Sequence, residues 1–111
     1  SYGVKAHIDY KRGYPVLVNH LKETDFARDV GEELVGADKV TRQGRALTGS
    51  EDFAFMLERV PGSYLFIGNG ADGEPGACMV HNPAYDFNDL NIAPGAAYWI
   101  ALVQDLLSPT P

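Results

Sequence analysis

The opening residues carry the firmest constraint on the fold. Over residues 2–10 the chain alternates, with Val4, Ala6, Ile8 and Tyr10 on one side and Lys5, His7 and Asp9 on the other. A period of two belongs to a strand with one dry and one wet face. Such a strand needs an antiparallel sheet covered on one side only. Yet no hairpin partner follows. Arg12-Gly13-Tyr14-Pro15 turns the chain, residues 16–18 make a short extended piece, and Asn19 precedes a helical pattern. The opening strand therefore reads as the last member of a sheet whose other strands are missing.

Beyond it the period changes. Phe26, Ala27, Val30 and Leu34 recur at helical spacing, with Glu23 and Asp25 at the N-terminal end and Gly36 as the stop, which predicts an amphipathic helix of about three turns. After a polar loop over residues 41–48, Ser50 is placed to cap a second helix. Glu51 and Asp52 stand in its first turn, Phe53, Met56, Leu57 and Val60 form its stripe, and Pro61-Gly62 ends it. Residues 64–67 read as a short buried strand, 68–76 as a glycine-rich turn, and 78–80 as a further strand. A last helix begins near Ile92 to Pro94 and runs through Trp99, Ile100, Val103 and Leu106 to Leu107, leaving Ser-Pro-Thr-Pro as a frayed tail. Helices alternating with short apolar strands predict an α/β layer, and the opening strand predicts a separate antiparallel sheet.

The 111 residues suffice for one domain. With nine basic and fifteen acidic side chains the net charge is −6, so a nucleic-acid backbone or an anionic membrane is repelled over most of the surface. Cys78 is the only cysteine, which excludes an internal disulfide and favours a reducing, cytoplasmic setting. No apolar run reaches the roughly 20 residues that span a membrane.

His81 follows a predicted strand directly, where α/β sheets present ligand-binding residues. Pro83 stiffens the loop behind it, and Asp86 and Asp89 are candidates to orient its second ring nitrogen. In isolation, a histidine before a turn is more often a hydrogen-bonded loop residue. Glu51 and Asp52 have a sufficient explanation as acids at a helix N-terminus. The run from Asn69 to Glu74 lacks the register of a calcium loop. Cys78 and His81 form at most half a zinc site, because residues three apart on a strand face opposite ways. His7 lies on the wet face, and His20 reads as a solvated linker residue. No nucleophile elbow, phosphate loop or dinucleotide fingerprint is present.

Taken in order, DYKRGYPVLVN, LTGSEDFAFMLERVPGSYLFIGNG, MVHNPAYDFND and GAAYWIALVQDLL resemble the metal-dependent aminoacylase and carboxypeptidase superfamily. The resemblance is to the branch of hippurate hydrolases and related N-acyl-amino-acid amidohydrolases. It implies that residues 1–20 are the last strand of an inserted α+β lid and dimerisation domain with its return crossing. Residues 21–111 would be the C-terminal segment of the α/β catalytic domain. It implies a homodimer holding two divalent metal ions per active site, zinc, manganese or nickel. His81 matches the family's late metal-ligand histidine. Glu51, Asp52, Asn82 and Asp86 become candidates for the pocket wall or for contacts behind the ligands, and residues 68–70 for close backbone approach to substrate. The family's other ligands, including a pair of adjacent glutamates of which one is the general base, belong to an earlier segment that is not in this sequence. The expected activity is hydrolysis of the amide bond of an N-acyl amino acid, with this chain inactive in isolation. A rival expectation is a non-catalytic module that pairs through its exposed strand.

Overall fold

The helical periodicities become three helices. The computed structural model describes residues 2–71, 73, 74 and 77–108, in which α1 spans Leu21–Val35, α2 Phe53–Leu57 and α3 Ile92–Leu107. Single 3-10 turns occupy Ala37–Lys39 and Asp89–Asn91. The expected turn over residues 68–76 lies partly outside the described residues, and the tail at 109–111 lies wholly outside them.

α1 buries Thr24, Ala27 and Val30 along one side. It stops at Gly36, whose φ of +93° suits glycine and whose N–H donates to the Glu32 carbonyl. Leu34, expected on the buried stripe, is 39% exposed. α2 is shorter than its pattern predicts. Its first free N–H, that of Phe53, is taken by the Glu51 carboxylate at 3.1 Å rather than through Ser50. Ala54 and Leu57 turn inward, while Met56 and Val60 face out.

The α/β expectation is met in its helices alone. Among the described residues no strand forms, and residues 2–10, 64–67 and 78–80 lie outside any regular element. A ladder requires neighbouring strands to complete its hydrogen bonds, and none stands beside these segments. Residues 2–14 are exposed throughout.

What tertiary structure there is centres on α1. The Tyr98 hydroxyl of α3 donates to the Ala27 carbonyl at 2.7 Å. The loop after α1 is drawn back onto the helix by Arg42, whose guanidinium pairs with Asp29 at 2.7 Å and with Glu32. At the N-terminal end, Asn19 and His20 hold residues 62–64. The Asn19 amide donates to the Tyr64 carbonyl at 2.8 Å and accepts from the Tyr64 N–H at 2.7 Å. The His20 N–H donates to the Gly62 carbonyl at 3.0 Å. The Thr24 hydroxyl donates to the His20 carbonyl at 2.7 Å, so the Ser63 hydroxyl, 2.9 Å away, donates to Thr24.

The buried apolar residues among those described are Ala27, Val30, Ala54 and Leu57. The radius of gyration is 19.1 Å, against about 13 Å for a compact domain of 100 residues. A groove of roughly 700 Å³ opens between α1, α3 and residues 63–68, with Phe26, Phe66, Ile67, Trp99 and Leu102 in its walls. Trp99 is 69% and Phe66 73% exposed. Apolar surface on this scale marks a face built to be covered.

Gly31 faces this contact from the middle of α1. A Cβ placed there would stand 3.5 Å from Val40 Cγ2 and 3.7 Å from Tyr98 Cε2, which is ordinary contact. Gly31→Ala should therefore raise stability by about 0.5–1 kcal/mol through helix propensity. Thermal unfolding checks this, and a loss would mean that the helices sit closer than described.

Candidate functional site

The loop over residues 77–91 is built from turns whose hydrogen bonds are made largely by asparagines. The Asn82 N–H donates to the Met79 carbonyl at 3.2 Å, closing a turn with Val80 and His81 at its centre. His81 takes a φ of +72° there and is the only described non-glycine residue with positive φ. At the third position of a turn that conformation is ordinary for glycine or asparagine. For another residue it costs roughly 1–2 kcal/mol. The Asn82 side chain then accepts from the Ala84 N–H at 2.8 Å, and the Tyr85 N–H donates to the Asn82 carbonyl at 2.9 Å. Pro83 lies inside this second turn with its φ already set. His81 thus stands exposed at the corner between two turns.

Asn69 ties down the far limb of the loop. Its amide donates to the Asp86 carbonyl at 2.8 Å and accepts from the Asn88 N–H at 2.8 Å. Asn88 in turn caps the 3-10 turn by accepting from the Leu90 N–H at 3.1 Å, and the Asn91 amide returns to the Gly68 carbonyl at 2.8 Å.

A second cluster lies at the start of α2. The Glu51 carboxyl is held below its usual range first by the Phe53 N–H and then by the Asp52 side chain, with the Tyr64 hydroxyl adding to this. The Tyr64 hydroxyl is pushed up by burial and by its bond to Glu51. These acids share partners with each other and with Tyr64.

The expected site residues are therefore only partly gathered. Asn82 adjoins His81 and fixes its turn. Among the described residues, no hydrogen bond joins Asp86 or Asp89 to His81, and no three histidine, cysteine or carboxylate side chains are grouped to hold a metal ion. Cys78 is half-buried. His7 lies in the exposed opening segment, as expected. His20 does not sit free in a linker. Its Nδ1 lies 3.1 Å from the Gly62 nitrogen, whose N–H donates to it, and 3.3 Å from the Gly62 carbonyl oxygen. The clasps by Asn19, His20 and Asn69 escape a periodicity reading, because an amide that bonds backbone leaves no pattern. The one available signal is an asparagine closing an apolar run, directly in VLVN and after one glycine in LFIGN.

Two outcomes follow from this geometry. His20→Ala removes the acceptor of the Gly62 N–H and should cost about 0.5–1.5 kcal/mol in denaturant unfolding, whereas His7→Ala should stay within about 0.5 kcal/mol. Glu51, with its folded pKa lowered, contributes stability that is present above the ordinary carboxylate range and lost as pH falls through the folded value. The stability difference between wild type and Glu51→Gln should accordingly shrink on acidification; a difference independent of pH would contradict the Phe53 bond.

The sequence is similar to known proteins along nearly its whole length. The model of peptidase family M20/M25/M40 matches residues 3–105. A hippurate hydrolase of Campylobacter jejuni is 36% identical over 93 residues, covering 84% of this chain and 23% of its own length. An uncharacterized hydrolase of Sinorhizobium fredii is 30% identical over 103 residues, 93% of this chain and 25% of its own. An N-acetyl-L-cysteine deacetylase of Bacillus subtilis is 29% identical over 107 residues, 96% of this chain and 24% of its own. The chain spans about a quarter of the length of these relatives. No solved structure matches it. With nearly its whole length matched by one family model, the chain belongs to peptidase family M20/M25/M40.

Proposed function

We propose that this chain is the C-terminal segment of the catalytic domain of a metal-dependent amidohydrolase that cleaves the amide bond of N-acyl amino acids. The observation that carries this reading is the family match over residues 3–105. The names of two relatives, a hippurate hydrolase and an N-acetyl-L-cysteine deacetylase, both describe removal of an acyl group from an amino acid. They favour hydrolysis over a non-catalytic module. The apolar groove between α1, α3 and residues 63–68 suits a segment whose remaining surface is covered by the rest of a larger domain. Residues 1–20 would be the returning edge of a lid and 21–111 the catalytic part, in a homodimeric cytoplasmic enzyme.

One exposed imidazole, without two further donors beside it, cannot enclose an ion by itself. It fits one position of a site completed by residues outside this chain, and neutral imidazole suits zinc, manganese or nickel. His81 would be that ligand, held on its corner by the Asn82 and Pro83 turn. A bound pair of ions would supply polarisation of the amide carbonyl and a water of lowered pKa. Glu51 and Asp52, at the head of α2, would stand in the pocket wall. The glycines at 68 and 70 would let backbone approach the substrate closely.

In the intact protein, His81→Ala should lose bound metal and N-acyl amino acid hydrolysis by more than about 100-fold, beyond the cost of disturbing a partner behind a ligand. The fold should survive, since His81 is exposed and its replacement removes no buried contact. Metal content by mass spectrometry and hydrolysis rate, measured beside His7→Ala, decide this. Retention of both by His81→Ala would remove the metal from this residue. The 111-residue chain alone should not turn over substrate.

A further inference from the structure

The loop that carries His81 leaves and returns to one short stretch, residues 68–71. On the entry side, the Glu74 carboxylate accepts from the Ala71 N–H at 3.0 Å and the Glu74 N–H donates to the Ala71 carbonyl at 3.0 Å. The Ala77 N–H then donates to the Glu74 carbonyl at 3.1 Å. On the exit side, Asn69 holds the Asp86 carbonyl and the Asn88 N–H, and Asn91 holds the Gly68 carbonyl. Between these ties the loop has no helix or strand to fix it, and His81 at its corner is exposed with little side-chain packing. The position of the imidazole is therefore set by the backbone, and the exit tie is made mostly by one side chain.

We infer that Asn69 is a positioning residue for His81, acting through the backbone of Asp86 and Asn88. The inference rests on the reading of His81 as a metal ligand. A primary amide suits the task for a definite chemical reason. It offers a carbonyl and an N–H side by side, so it grips the carbonyl of one residue and the N–H of the residue two further on, as a peptide group on an adjacent strand would. Alanine leaves both loop groups to water. Aspartate still accepts from the Asn88 N–H but sets a carboxylate oxygen against the Asp86 carbonyl.

Asn19 supplies the control. It also makes a two-bond clasp, there on both backbone groups of Tyr64, outside the loop that carries His81. The experiment titrates the intact apo-protein with cobalt(II) alone, following the visible absorption of the bound ion, for wild type, Asn69→Ala, Asn69→Asp, Asn19→Ala and His81→Ala. The expected result is a loss of cobalt affinity of about 10- to 100-fold in Asn69→Ala, with a changed band shape. Asn19→Ala should match wild type in both despite a similar loss of thermal stability. Should Asn69→Ala fail to fold, Asn69→Asp carries the same expected direction. If Asn69→Ala and Asn69→Asp bind as wild type does while His81→Ala does not, the inference is overturned and the ligand reading stands. Equal weakening by Asn19→Ala also overturns it, since the effect would then be general loosening. If His81→Ala binds normally, the ligand reading falls and takes the inference with it.

Discussion

Peptide groups outside helices must still find hydrogen-bond partners, and in this chain two asparagine amides meet that requirement where a sheet would otherwise do so. Asn19 takes both backbone groups of Tyr64, joining the start of α1 to the segment after α2. Asn69 takes one group each from Asp86 and Asn88, joining that same segment to the loop before α3. Without these bonds the middle of the chain would be tied to α1 chiefly by the His20 and Thr24 contacts and by a small apolar core. The Tyr64 and Asn88 groups are half-buried and Asp86 is exposed, so each of these bonds contributes about 0.5–1.5 kcal/mol.

The second constraint is what the chain leaves uncovered. α3 contacts α1 through Tyr98, yet Trp99, Ile100, Val103 and Leu106 remain more than half exposed. The Phe66 and Ile67 side chains are also exposed beside the same groove. A chain that packs one side of each helix and leaves a second apolar side open has the surface of a domain segment. This agrees with a span of about a quarter of its relatives' length. Among the described residues no helix is long and apolar enough to cross a membrane.

The helices were legible in the sequence because their signals are local. Gly36 stops α1 where its pattern ends, and α3 starts and stops where its periodicity does. Strands were not equally legible in outcome, since alternation at residues 2–10 reports which face should be dry but cannot supply the neighbour that completes a ladder. α2 starts later than its pattern suggests, with Glu51 rather than Ser50 reaching the Phe53 N–H. The His81 corner was visible through His-Asn-Pro, whereas its left-handed backbone was not, as nothing in residue type requires it. His20 was misread because its partner, Gly62, lies 42 residues away in sequence.

The decisive property is whether His81 faces a metal once the whole domain is assembled. The most direct measurement is anomalous diffraction at the zinc or manganese edge from crystals of the intact protein. A peak about 2.0–2.1 Å from an imidazole nitrogen of His81 is the predicted result for zinc. Metal peaks ligated entirely by residues outside this segment, with His81 turned to solvent, would contradict it.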